Sequence, residues 1–305
     1  MELTLKQMRY ACAVADHGHF GKAATACHVT QSALSQQIRL LEDICGTALF
    51  DRLGKRVRTT PFGAEFVSRA RRILSESEAL TGFAAGHEGN PTHPLRFGLI
   101  PTVAPYLLPG IYPALKRTLP EIEFQIVESH TEDLLDRLDK GQLDLALTAT
   151  DPPKGARLST APLFSDPFVL ASSREAAMPD PALLDKLPKD RILLLDEGHC
   201  FRDQAIEACA LRDIDTGKAF AATSLSTIVE FVANGQGITL LPTISLKKEA
   251  NDPRIKISPL AAPGAGRELR LVWRQATPFA NLFEKIAAII RETAHPAAPQ
   301  PDVPA

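Results

Sequence analysis

Thr30-Gln31-Ser32-Ala33-Leu34-Ser35-Gln36-Gln37-Ile38-Arg39-Leu40-Leu41-Glu42 reads as a helix with two unlike faces. Thr30 is a helix-capping residue type, with a hydroxyl that accepts from the first unpaired amides. Leu34, Ile38 and Leu41 recur at helical spacing as an apolar stripe. Gln31, Ser32, Ser35, Gln36 and Arg39 fall on the other side. That side carries the donors and acceptors that read base edges and phosphates in a major groove. Polar residues of this kind also suit a plain solvated face, so the neighbouring segments decide the reading.

Upstream, Leu5, Met8, Cys12 and Ala15 keep helical spacing, as do Phe20, Ala23, Ala24 and Cys27. His17-Gly18-His19 separates these two segments, and His28-Val29 leaves only a tight connection to the third. Three short helices joined in this way predict a helix-turn-helix. Downstream, the run from Phe50 to Thr60 reads as a short basic hairpin, a wing. Its Arg52, Lys55, Arg56 and Arg58 are suited to gripping phosphates. Charge is split in the same sense: residues 1–72 hold 11 Lys/Arg against 6 Asp/Glu, in a chain whose net charge is −2. A basic head on an acidic body points to a polyanion partner for the head.

Phe20-Gly21-Lys22-Ala23-Ala24, the run Thr30–Glu42, Leu49-Phe50-Asp51-Arg52 and Thr60-Pro61-Phe62-Gly63 together resemble the winged helix-turn-helix of LysR-type transcriptional regulators. Thr60-Pro61 also marks a helix start, with proline at the first helical position. From there Phe66, Ala70, Ile73, Ser77, Leu80 and Ala84 alternate in steps of four and three, a heptad-like seam. The resemblance implies that this helix dimerises through Phe66, Ala70, Ile73 and Leu80. We therefore expect a DNA-binding domain over 1–59, a linker and dimerisation helix over 60–86 and a hinge over 87–94.

From Leu95 onward, strand-like and helix-like segments alternate. Leu95–Ile100, Glu123–Glu128 and Leu143–Thr148 are apolar strand candidates, separated by amphipathic segments through Leu119 and over Thr131–Lys140. This pattern predicts βαβ units and a parallel sheet. Further strands are expected at Phe168–Ala171, Ile192–Leu195, Ile238–Leu241 and Leu269–Trp273, with helices at Ser224–Ala233 and Phe279–Glu292. The resemblance implies an α/β, two-lobed, periplasmic-binding-protein-like effector domain over 95–294. Lobe I would span about 95–165 and 268–294, and lobe II about 166–267. The Pro/Ala-rich run 295–305 is expected to be a disordered tail.

Five cysteines occur, and two share one segment, Gly198-His199-Cys200-Phe201-Arg202-Asp203-Gln204-Ala205-Ile206-Glu207-Ala208-Cys209. If that stretch is a regular helix, nine residues rise about 13.5 Å. A disulfide needs Cα atoms roughly 4.4–6.8 Å apart, so joining the two thiols would unwind the segment. Such a pair is a candidate switch. The segment resembles the sensing element of the hydrogen-peroxide-responsive LysR-type regulators, as does Ile100-Pro101-Thr102-Val103-Ala104-Pro105-Tyr106-Leu107-Leu108-Pro109, and the likeness runs from about Leu5 to about Glu292. It implies that Cys200 is the peroxide-reactive thiol, oxidised first to sulfenic acid, and that Cys209 is the resolving thiol. It implies a peroxide pocket built from Thr102, Thr131, His199, Arg202, Asp203, Thr223, Ser224 and Arg267, with Arg202 or Arg267 stabilising the departing hydroxide. Its partners would be double-stranded promoter DNA, a second copy in a homodimer or homotetramer, hydrogen peroxide, RNA polymerase, and cellular thiol reductants for reset.

Cys12 and Cys27 lie on apolar faces and read as packing, and Cys45 carries no assigned role. A zinc site fails on ligand count and spacing, so neither a metal nor a cofactor is expected. The chain lacks GxSxG, HExxH and P-loop motifs, which argues against a hydrolase, a metalloprotease or an NTPase. No signal-peptide pattern or membrane-length apolar run occurs, so the expected setting is the bacterial cytoplasm, at the nucleoid when bound to DNA. Two rivals stand beside this reading. One is a LysR-type regulator binding an organic effector between its lobes, with structural cysteines; the other is a thiol peroxidase.

Overall fold

The computed structural model describes residues 2–53, 56–84, 91, 93–211, 221–262 and 264–294. The expected hinge, apart from residues 91, 93 and 94, and the expected tail lie outside them. Two compact units emerge, the first built on residues 1–90 and the second on most of the remaining chain.

In the first unit, helices α1 (Leu5–His17), α2 (Phe20–Ala26) and α3 (Gln31–Cys45) precede a two-stranded antiparallel hairpin, β1 (Phe50–Leu53) and β2 (Arg56–Thr59). The long helix α4 (Pro61–Ala84) comes next. Thr30 caps α3 as its sequence suggests, its hydroxyl accepting from the Ala33 amide at 3.3 Å. Thr60 does the same for α4, accepting from the Gly63 amide at 2.9 Å. Gly63 is required by close approach, because a Cβ there would meet the Leu49 carbonyl oxygen at 1.9 Å. Leu34, Ile38 and Leu41 are buried with Met8, Val14 and Leu49 in the core of this unit.

Helix α4 packs one face on its own unit. Val67, Ala70 and Leu74 turn inward onto that same core, and Phe66 packs partly against it. Ala70 lies in the core of its own chain, since spacings of three and four put it beside Val67 and Leu74. Ile73 and Leu80 point outward, 46% and 68% exposed.

The second unit carries one seven-stranded mixed sheet. Strands β3 (Leu95–Leu99), β4 (Phe124–Glu128) and β5 (Leu145–Thr148) are parallel, joined through α5 (Ala104–Thr118) and α6 (Thr131–Asp139). The expected βαβ units are present there. The sheet is not wholly parallel, however. β6 (Leu158–Ser173) and β11 (Gly266–Arg274) run antiparallel to each other, and β11 runs antiparallel to β5. β6 is sixteen residues long, four times the segment expected at Phe168–Ala171. Its far half pairs with β9 (Thr239–Pro242) and β10 (Ile255–Pro259), so it passes from one lobe into the other.

The second lobe adds β7 (Leu194–Leu195), α7 (Cys200–Ala208), β8 (Ala221–Ala222), α8 (Leu225–Ala233) and the short α9 (Leu246–Glu249). Helix α10 (Ala280–Thr293) closes the chain's described part. Phe168, Leu194, Phe201, Cys209, Ile228 and Leu240 are among the residues of the second lobe's core. Among the described residues, no helix is long and apolar enough to cross a membrane.

Candidate functional site

Three chain segments converge on a narrow cleft lined by Ile100, Pro101, Thr102, His130, Thr131, Gly198, His199 and Cys200. Thr102 lies in the turn after β3, and Thr131 opens α6. The third segment leaves β7 and enters α7 at Cys200. Its turn depends on Gly198, which holds φ +92°, and a Cβ there would meet His130 Nδ1 at 2.8 Å.

Cys200 is half-buried at the first residue of α7, where the unpaired amides favour negative charge. His199 caps the helix through its backbone only, with its ring free for other contacts. That ring meets His130 edge to face, with centroids 4.4 Å apart, and its Nε2 lies 3.1 Å from Asp196 Oδ1. Burial lowers the His199 pKa, the neighbouring His130 lowers it further, and Asp196 opposes both. Thr131 Oγ1 is buried and makes no hydrogen bond among the described residues. Thr102 Oγ1 accepts from Arg267 Nη1 at 2.8 Å, which leaves its own O–H to donate.

The second cysteine of the pair is unlike the first. Cys209 terminates α7 and is 1% exposed within the apolar core. Burial pushes its thiol up to about 11, and Lys189 offsets this only in part. Both thiols are free. They stand nine positions apart at the two ends of α7, so their bond cannot form with the helix intact. Cys12 is pushed up to about 11, and Cys27 and Cys45 are raised as well, all mainly by burial in the first unit.

Cys200, His199, Thr102 and Thr131 therefore come together. The other expected pocket residues do not line the cleft. Arg202 turns back, donating from Nη1 to the Leu195 carbonyl at 2.7 Å and tying α7 to β7. Asp203 and Thr223 are exposed, and Ser224 is spent capping α8, accepting from the Thr227 amide at 3.3 Å. Arg267 is buried one layer behind and reaches the cleft only through Thr102. Two contributors escaped the sequence reading. His130 sits next to Thr131 and carries no local motif. Gln204 donates to the Ala149 carbonyl at 2.8 Å, fastening α7 to the first lobe. Among the described residues, no group of three or more His, Cys, Asp and Glu could hold a metal ion.

In the first unit, Gln31, Ser32, Gln36 and Arg39 are exposed on α3 and Ser35 is half-exposed, opposite the buried stripe. Arg58 is exposed on β2. Arg52 and Arg56 lie on the hairpin strands, and Lys55 is outside the described residues.

The bacterial regulatory helix-turn-helix family of LysR type matches residues 5–64, and the LysR substrate binding domain matches residues 88–295. The chain belongs to the LysR family of bacterial regulators. Within that family it is similar to OxyR proteins. It is 39% identical over 292 residues to a hydrogen peroxide-inducible genes activator of Pectobacterium carotovorum subsp. carotovorum, covering 95% of this chain and 96% of that one. A full-length OxyR variant from Pseudomonas aeruginosa has a TM-score of 0.84 at 33% identity, with 96% and 99% of the two chains covered. A hydrogen-peroxide-bound OxyR mutant from Corynebacterium glutamicum gives 0.62 at 32% identity, with 96% and 93% covered.

Proposed function

We propose that this LysR-family regulator senses hydrogen peroxide through Cys200 and transmits the event by a reversible Cys200–Cys209 disulfide. The carrying observation is that α7 holds Cys200 in a polar cleft at one end and Cys209 in the apolar core at the other. The Cys200 thiolate attacks one peroxide oxygen, an S–O bond forms, and the O–O bond breaks. The departing hydroxide takes up the proton the thiol released and becomes water. Cys209 then attacks the sulfenic acid, forming the S–S bond and expelling a second water. Because α7 must unwind for that step, the core of the second lobe rearranges with it. The regulator turns over once per oxidation, unlike an enzyme, and thiol reductants restore it.

The exposed face of α3, with Arg52, Lys55, Arg56 and Arg58 of the wing, would hold promoter DNA, and Ile73 and Leu80 of α4 would meet a second copy. Oxidation would alter the spacing of paired half-sites in a dimer or tetramer and its contact with RNA polymerase. The working place is the bacterial cytoplasm.

Peptide mapping after brief peroxide exposure, run beside a DNA footprint, tests the reading. The expected result is one Cys200–Cys209 linkage and an altered footprint, both absent in Cys200→Ser. An oxidised footprint that persists in Cys200→Ser would falsify it.

A further inference from the structure

We propose that Asp166 is a positioning residue for peroxide attack at Cys200, acting through Arg267 and Thr102. The proposal rests on the peroxide-sensing reading above. Sheet register places Asp166 of β6 directly across from Arg267 of β11. Both side chains are completely buried, with Arg267 Nε donating to Asp166 Oδ2 at 2.9 Å. A buried guanidinium needs such a partner, and the partner sets the plane of its fork. The other carboxylate oxygen is fixed too, accepting from Thr243 Oγ1 at 2.9 Å and from the Ile244 amide at 3.1 Å.

With Nε committed, the fork's far side donates to Thr102. Nη1 donates to Thr102 Oγ1 at 2.8 Å and Nη2 to the Thr102 carbonyl at 3.0 Å. The guanidinium also lies over the Phe201 ring, 5.4 Å from its centroid, so the neighbour of Cys200 packs on the same group. Thr102 thus accepts on the buried side, and its one O–H is left for the cleft. A peroxide oxygen in the cleft meets a hydroxyl of fixed polarity, aimed before the ligand arrives. As the O–O bond breaks, that donor steadies the negative charge growing on the leaving oxygen. Asp166 does not line the cleft; its effect runs through Arg267 and Thr102.

The test measures two steps separately in the full-length chain. Cys200 sulfenic acid formation is followed by dione trapping in a Cys209→Ser background, giving a second-order rate constant in peroxide. Disulfide closure is followed with Cys209 present, at peroxide concentrations where it alone limits. Asp166→Asn is expected to slow sulfenic acid formation about ten-fold or more while closure stays within about two-fold. Asp166→Glu is expected to recover most of the loss. In a Thr102→Val background, Asp166→Asn is expected to add nothing, since both lie on one line of action. Should Asp166→Asn fail to fold, Thr243→Val loosens the same carboxylate and must show the same dependence on Thr102. Wild-type rates in these variants, or losses that add to that of Thr102→Val, overturn the proposal. Failure of the wild type to form any Cys200 sulfenic acid instead overturns the peroxide-sensing reading itself.

Discussion

Helices α3 and α7 are built to opposite specifications. α3 runs fifteen residues, with a threonine side-chain cap at its start and Gly46 in the left-handed conformation at its end. α7 runs nine residues, and the side chain of its N-cap His199 makes no capping hydrogen bond. Its C-terminal turn is closed by Ala210 at φ +49°, where glycine is the usual occupant. An L-residue in that conformation costs about 1–2 kcal/mol, and a missing N-cap side chain typically about 1 kcal/mol. A nine-residue helix has little intrinsic stability to set against such losses. What holds α7 is tertiary: Phe201 and Cys209 in the core, Arg202 on Leu195, Gln204 on Ala149, and Lys189 Nζ on the Ala210 carbonyl at 3.1 Å. A reading head must keep its shape while it searches DNA. On the proposed function, α7 has instead to open when one covalent bond forms.

The strongest way to break this contrast is amide hydrogen exchange before and after peroxide. In the reduced protein, the α7 amides should be protected by the helix and the core around it. With the Cys200–Cys209 bond formed, protection of the amides from residue 203 to 209 should fall to near that of an unfolded chain. The α3 amides should keep their protection throughout. Retained α7 protection in protein shown by mass spectrometry to carry the bond would mean that the two cysteines meet by another route.

The same contrast explains what was legible in the sequence. α3 was readable because its cap, stripe and end are local signals. The wing and the Thr60-Pro61 helix start are likewise encoded within a few residues. In the second unit, short apolar runs revealed β3, β4 and β5. β6 was cut short in the reading because Pro162 and Pro167 interrupt it, and neither breaks the observed strand. The alternating five residues of β10 went unread, since lysine, serine and proline dilute its apolar signal. In the site, Cys200, Cys209, Thr102, Thr131 and His199 were reached by resemblance. His130 and Asp166 were not, because their meaning is purely spatial. Asp166 and Arg267 stand 101 positions apart, and only the register of β6 against β11 makes them a pair.

Ala210→Gly sharpens the comparison by giving α7 the end that α3 already has. Relieving the left-handed alanine should stabilise the reduced helix by about 1 kcal/mol. If α7 opening precedes closure, this makes the open form about five-fold rarer. Disulfide closure, timed by quenching with an alkylating reagent, should slow by the same factor, with sulfenic acid formation unchanged. Gly46→Ala on α3 is the mirror experiment. It meets no neighbour within 4 Å, so its cost of about 1 kcal/mol is conformational and should leave closure kinetics untouched. Equal closure rates in Ala210→Gly and wild type would mean that closure does not wait on opening of the turn at Ala210.

The smallest effect expected is a pH dependence confined to the sensing end. Burial and His130 depress the His199 pKa below its ordinary value, while Asp196 counteracts them. At a pH near 6.5 the unfolded chain therefore binds a proton at this position that the folded chain resists. The stability that neutral His199 contributes is present above that pH and is lost as pH falls through the depressed folded value. The sole tryptophan, Trp273, is buried in β11, so its fluorescence follows unfolding of the second unit. Urea midpoints read from it should drop between pH 7.5 and 5.5, and the drop should shrink in His199→Asn. α3 has no counterpart to this coupling, because its N-cap is the Thr30 hydroxyl, which does not titrate in this range. An undiminished pH dependence in His199→Asn would move the titrating group away from the N-terminus of α7.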